Sequence, residues 1–377
     1  MLDLAVQGRA VTTPVAQARR SRPVAAAVVA LAMLVALACA AVWPSQAGAA
    51  RLGVVSDLTW TGSWDDQDRA GAAILDLGAR WAKLSVDWSR AEPAPGSYNW
   101  SLIAYYDRAI DTARAAGARV LMLVSRSPGW ASGSDNVEAP PREPGAYGRF
   151  VGFLARRWAG RVRAYEIWNE PNIQRFWPSG PSASQYVQLL RAAYGAIKSS
   201  DPYARVVFGG VANLSPGARD FVYDAYAAGA KNYFDVLGWH AYAPCGSSPS
   251  DVWYMSDGSI RVWSFLGYRT IRRDMTVRWS DPKPIWVTEL GWSTSSETCA
   301  TTWTSGVSED VQAQRLTEAA AAMDEDPYVG VAFWYTLRNH YWDADANQIE
   351  ARFGLARSDW SPKPAYQAFR RLTGAAP

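Results

Sequence analysis

From Arg51 onward the chain alternates between two patterns. Short runs of β-branched and aromatic residues recur, and between them apolar residues return every three or four positions. The first pattern suits strands and the second amphipathic helices, so the alternation predicts βα units around a parallel sheet. Eight runs have strand character: Leu52–Val55, Ala82–Val86, Val120–Val124, Ala164–Trp168, Val206–Gly210, Val236–His240, Ile285–Thr288 and Val331–Tyr335. Several are almost continuously apolar, as strands covered on both faces are. In Ser101–Ala116, residues Leu102, Tyr106, Ile110 and Ala113 form one helical stripe. Ser184 opens another stripe of Tyr186, Leu189, Leu190, Ala193 and Ile197. That helix stops at Ser199-Ser200-Asp201-Pro202, because proline disfavours a helical residue before it. Ser308 caps a third helix, with Glu309 and Asp310 in the first turn where the helix dipole favours acids. Eight strands with interposed helices over about 320 residues predict a (β/α)8 TIM barrel in a single domain, residues 51–377. A doubly wound open sheet is the competing reading, but no glycine-rich phosphate loop follows the first strand.

Residues 1–50 follow other rules. Arg9, Arg19, Arg20 and Arg22 precede an apolar run from Val24 to Trp43, followed by Ala47-Gly48-Ala49-Ala50. A basic start, an apolar centre and a small-residue site form a secretory signal, so a secreted protein is expected. The run is long for a signal, and retention as an outward-facing membrane anchor is the alternative. These residues hold four arginines against Asp3 alone, which accounts for the whole formal charge of +3. The remainder is near neutral, so neither nucleic acid nor an anionic membrane is expected as a partner, and a monomer is expected.

Apolar residues make up 49% of the chain and charged residues 19%, enough apolar surface for a large core. Cys245 and Cys299 form an even pair in an exported chain and are expected to be bonded. They fall in the segments after strands six and seven. His240 and His340 are the two histidines, and H-E-x-x-H, C-x-x-C and G-x-S-x-G are all absent. No metal or cofactor is therefore expected, and the commonest serine hydrolase chemistry has no support.

Strand four runs into Tyr165-Glu166-Ile167-Trp168-Asn169-Glu170-Pro171-Asn172, and strand seven into Trp286-Val287-Thr288-Glu289-Leu290-Gly291-Trp292. In a barrel Glu170 and Glu289 then sit at the C-terminal rim, where catalytic residues of this fold gather. One glutamate at a strand end is usually a loop residue. Two across one mouth suit glycoside cleavage, which needs one protonated and one ionised carboxyl group flanking the bond. The chain resembles the clan of retaining (β/α)8 glycoside hydrolases, clan A, in Trp168-Asn169-Glu170-Pro171 and in the setting of Glu289. Trp239-His240-Ala241-Tyr242, Phe333-Trp334-Tyr335, Trp88-Ser89-Arg90-Ala91-Glu92-Pro93 and Lys363-Pro364-Ala365-Tyr366 continue the likeness in clan order. Within the clan it is most similar to families 39 and 5.

The resemblance implies a secreted hydrolase of β-linked oligo- or polysaccharides acting by double displacement. It makes Glu170 the general acid/base, a role that calls for a raised pKa, and Glu289 the nucleophile. Asn169 matches the contact to the sugar 2-hydroxyl. His240 and Tyr242 share one face of strand six, with Tyr242 placed to hydrogen-bond the nucleophile. Trp334 matches the apolar floor of the sugar site. Seven tryptophans near strand ends, Trp60, Trp64, Trp88, Trp130, Trp177, Trp292 and Trp342, are candidates to stack on sugar rings, two or three of them in earnest. Trp81, Trp158 and Trp286 are expected in the core. Two positions depart from the clan. Lys83 stands where an arginine is usual on strand two, and Ser125-Arg126-Ser127 follows strand three without the histidine common in cellulase-like members. A binding barrel without turnover, and a transglycosylase using the same site, are the competing readings. Exo or endo action depends on Ser247–Ser259 and Ser293–Gly306.

Overall fold

In a computed structural model, which describes residues 51–60, 63–297, 299, 305–340 and 348–375, each of the eight apolar runs forms a strand. They are β1 (Arg51–Val55), β2 (Trp81–Asp87), β3 (Arg119–Ser125), β4 (Val162–Ile167), β5 (Arg205–Ala212), β6 (Val236–Ala241), β7 (Ile285–Leu290) and β8 (Val329–Trp334). All neighbours are parallel and in chain order, and β8 closes on β1 from Arg51↔Val331 to Val54↔Trp334. The fold is a (β/α)8 TIM barrel. One long helix follows each strand: α1 (Trp64–Asp76), α2 (Trp100–Ala115), α3 (Pro144–Arg157), α4 (Ala183–Ser200), α5 (Ala218–Ala227), α6 (Tyr268–Trp279), α7 (Glu309–Asp324) and α8 (Pro364–Thr373).

Helix α7 starts as expected, with the Ser308 side chain accepting from the Val311 N–H. Helix α4 starts earlier than its apolar stripe suggests. Ser182, not Ser184, is the cap and accepts from the Gln185 N–H. The helix ends at Asp201, before Pro202.

Strand periodicity sorts the side chains into two populations. Trp81, Leu121, Ala164, Val207, Val236, Trp286, Val331 and Phe333 form a separate cluster inside the barrel, with the indoles of Trp81 and Trp286 4.8 Å apart. Residues of the opposite parity, among them Ala82, Leu84, Tyr165, Ile167, Trp239, Val287 and Trp334, belong to the larger core shared with the helices. Two residues beyond the inner cluster, towards the strand C-termini, the same parity brings Lys83, Glu166, Gly238 and Thr288 into the barrel.

Cys245 and Cys299 are bonded, with Cα atoms 5.1 Å apart, and tie the segment after β6 to the one after β7. Among the described residues no helix is long and apolar enough to cross a membrane. The expected leader 1–50, Trp342 and part of the segment 293–306 lie outside the described residues.

Candidate active site

β4 ends in a tight turn that projects Glu170. Trp168 and Glu170 have φ of 70° and 39°, left-handed values uncommon for residues with a Cβ. Such conformations cost about 1–3 kcal/mol each and persist where the surroundings fix them. Here the Trp168 N–H donates to the Val124 carbonyl, its indole N–H to Phe176, and the Glu170 N–H to Gly210. Gly210 has no alternative, because a Cβ there would fall 2.1 Å from Nε2 of His240.

Glu289 comes from β7, where the pairing with β8 is irregular between Val287 and Leu290. One carboxylate oxygen of Glu170 and one of Glu289 lie within 4.8 Å of each other. His240 stands between them, wholly buried, with Nδ1 2.7 Å from Glu170 Oε1 and 3.6 Å from Glu289 Oε2. The Tyr242 hydroxyl donates to Glu289 Oε2 at 2.9 Å. Lys83 donates to Glu289 Oε1 at 3.0 Å, and its Nζ lies 2.7 Å from Glu166 Oε2.

These contacts set the charges. Burial by itself raises the Glu289 carboxyl. The charges of His240 and Lys83, with hydrogen bonds from Lys83 and Tyr242, outweigh it and hold the group below the ordinary glutamate value of 4.5. For Lys83, burial favours the neutral amine, but Glu166 and Glu289 overcome that and raise its pKa above 10.5. His240 is likewise opposed by burial and raised above 6.5 by Glu289 and Glu170. Burial, then the Glu289 charge, pushes the Tyr242 phenol well above 10, so it stays a donor. Glu170, His240 and Glu289 could each offer an atom to one metal ion. The Lys83 ammonium on Glu289 opposes a cation there.

A pocket of about 400 Å³ opens over this cluster, lined by Asn169, Glu170, Tyr242, Glu289 and Lys83 as the sequence suggested. Three residues expected at the substrate do not line it: His240 is wholly buried between the two glutamates, and Trp334 and Trp88 are elsewhere. Trp334 is 1% exposed, faces the helix layer, donates its indole N–H to the Phe353 carbonyl and stacks on Trp292. The next residue, Tyr335, has the inward parity and lines the pocket in its place. Trp88 is completely buried, donates to Glu92 Oε2 at 2.7 Å and stacks on Phe150, because the single turn Trp88–Ala91 folds it under the rim. Of the seven rim tryptophans, Trp60 alone of the six described lines the pocket; it is half-exposed and stacked on His340. Trp177 and Trp292 are core, Trp64 packs on Tyr105 outside the pocket, and Trp130 donates to the Glu92 carbonyl. Arg126, in the segment without a histidine, also reaches the pocket and pairs with Asp87 and Glu138. Tyr335 was visible in the sequence only as the neighbour of Trp334, and Glu166 only as part of the strand-four motif.

A closed parallel barrel with two carboxylates converging at its C-terminal mouth is the arrangement that glycoside cleavage on a (β/α)8 fold calls for. The comparisons with known proteins give the particular family. The model of glycosyl hydrolases family 39 matches residues 87–374, and the chain belongs to that family. A β-xylosidase of Geobacillus stearothermophilus is 28% identical over 161 residues, covering 38% of this chain and 31% of that enzyme. The chain thus spans about a third of the length of that relative. The fold is similar to a family 39 glycoside hydrolase from the gut symbiont Bacteroides cellulosilyticus WH2, with a TM-score of 0.65 and 21% identity over 87% of this chain and 64% of that one. It is also similar to a family 39 enzyme from Xanthomonas axonopodis pv. citri, with a TM-score of 0.63 and 18% identity over 87% and 67% of the two chains.

Proposed function

We propose that this protein is an exported, retaining hydrolase of β-linked glycosides, with Glu170 as general acid/base and Glu289 as nucleophile. The observation that carries the reading is the approach of Glu170 and Glu289 oxygens to within 4.8 Å. Carboxyl groups about 5–5.5 Å apart suit a covalent glycosyl-enzyme, whereas inversion needs about 6.5–9.5 Å to admit a water.

In the first step Glu289 Oε attacks the anomeric carbon while the bond to the leaving oxygen breaks and takes up the proton of Glu170. In the second, Glu170 removes a proton from water as that water displaces Glu289, restoring both groups. Lys83 and Tyr242 hold Glu289 ionised and oriented for the attack. Asn169 lines the pocket beside Glu170, where a sugar hydroxyl would meet it. Tyr335 supplies the apolar wall expected of Trp334, and Trp60 a half-exposed ring further out. The leader pattern and the Cys245–Cys299 bond support export, with retention as an outward-facing anchor the alternative. The β-xylosidase relative makes a β-xyloside the first substrate to test.

The test is a panel of para-nitrophenyl glycosides, xyloside first, with wild type and Glu289→Ala. The variant should lose turnover, and added azide should restore it with a glycosyl azide of inverted configuration as product. Undiminished turnover in Glu289→Ala without azide would remove Glu289 from the mechanism.

A further inference from the structure

Glu166 has no role in the double displacement, yet it is completely buried in the barrel, four residues before Glu170. A buried carboxylate is costly unless its oxygens find partners. Oε1 accepts the Gly210 N–H at 3.1 Å, and Oε2 lies 2.7 Å from Lys83 Nζ. The neighbouring strand makes room for it. A Cβ at Gly238 would fall 3.2 Å from Glu166 Oε1 and 2.2 Å from the Phe208 carbonyl oxygen.

The ammonium of Lys83 faces three oxygens: Glu166 Oε2 at 2.7 Å, Glu289 Oε1 at 3.0 Å and the Thr288 carbonyl at 3.4 Å. The Thr288 carbonyl and Glu289 Oε1 accept its N–H groups, and Glu166 Oε2 is its nearest counter-charge. An arginine at this position would bring a planar guanidinium fork that fixes its own direction. Lysine is a point charge on a flexible stem, so its direction is set by what it touches. Two carboxylates, one from β4 and one from β7, pull on the ammonium from separate strands, and the nearer is Glu166.

We infer that Glu166 is a positioning residue, which anchors the Lys83 ammonium so that it holds the Glu289 carboxylate in the attitude for attack. The inference rests on the double-displacement reading above. Glu166 touches no substrate and transfers no proton; it acts through Lys83. The groups facing Lys83 are Glu166 from β4 and Glu289 with the Thr288 carbonyl from β7, with His240 of β6 beside Glu289. Removing the charge of Glu166 takes away one of the two carboxylates that keep Lys83 protonated. The ammonium then loses its proton at lower pH, and turnover should decline earlier on the alkaline side.

The experiment uses the full chain and whichever of the para-nitrophenyl β-xyloside, β-glucoside and β-mannoside wild type turns over fastest. Glu166→Gln should lower kcat about 10- to 100-fold, the usual cost of losing an outer partner of a reacting group, and leave KM within about twofold. The alkaline limb of kcat should move to lower pH. In a Lys83→Met background the same change should cost less than about twofold, because the residue through which it acts is gone. A wild-type kcat and pH profile in Glu166→Gln, or an undiminished loss in the Lys83→Met background, would overturn the inference. Should Glu166→Gln not fold, Glu166→Asp withdraws the charge by one methylene and is read by the same criteria. Glu289→Ala separates the two levels. Retained turnover there defeats the double displacement itself, whereas an inactive Glu289→Ala beside a wild-type-like Glu166→Gln defeats the role of Glu166 alone.

Discussion

Inside the barrel, the layer nearer the strand N-termini is apolar throughout, from Trp81 and Leu121 round to Trp286 and Phe333. Two residues further along the same strands stand Lys83, Glu166 and Thr288, with His240, Glu170 and Glu289 above them, most of them buried. The lower layer gains from every contact, since burying apolar surface stabilises by about 25 cal/mol per Å². The upper layer takes charges out of water, which recovers its cost only when every group is paired in good geometry. The difference teaches where function sits in this chain. The same strand parity that fills the barrel below delivers reactive groups to the mouth above, and the lower layer with the helix-facing core supplies the stability that lets the upper one stay charged.

Substitutions in the two layers should therefore fail differently. The largest effect is expected at Glu170. Glu170→Ala should lower kcat/KM about 10⁴-fold on substrates with poor leaving groups, the upper range for general acid catalysis. The loss should shrink sharply for dinitrophenyl glycosides, whose leaving group needs no proton. Equal losses on both substrates would separate Glu170 from the acid role. Next comes Trp286→Ala in the lower layer, which should cost about 3–5 kcal/mol of stability in denaturant melts. Its kcat per folded molecule should stay near wild type, and a lost kcat in fully folded protein would blur the division between layers. The smallest effect is expected from Lys83→Met, about 10²-fold in kcat, with a pH signature to sharpen it. Glu289 works ionised and is held below 4.5 partly by Lys83, so wild-type kcat/KM should stay high down to below that pH. Removing the cation raises the Glu289 pKa and should move the acidic limb to higher pH. An unmoved limb would show that Lys83 does not govern the ionisation of Glu289.

Much of this division could be read from the sequence. The eight strands announced themselves as apolar runs, Glu170 and Glu289 stood at strand ends in motifs that resemble the clan's, and His240 and Tyr242 shared a face by parity. The errors came where a single residue or a distant contact decides. Trp334 and Tyr335 are adjacent, and the alternation that puts Val331 and Phe333 inside the barrel gives the mouth to Tyr335, whereas the resemblance pointed to Trp334. The burial of Trp88 depends on Phe150 and Tyr147, brought to it by helix α3. Glu166 stood in plain view in the strand-four motif, but its partner Lys83 is on a strand that only barrel closure brings within reach. Trp60 could not be separated from the other rim tryptophans, because exposure at the mouth is set by loops rather than by any local pattern.

The most direct test of Glu170 and Glu289 as a retaining pair is the configuration of the first sugar released. It can be followed by proton NMR as wild-type enzyme hydrolyses the best aryl β-glycoside. Double displacement through Glu289 predicts the β anomer first, with the α anomer growing in later by mutarotation. Initial release of the α anomer would contradict it.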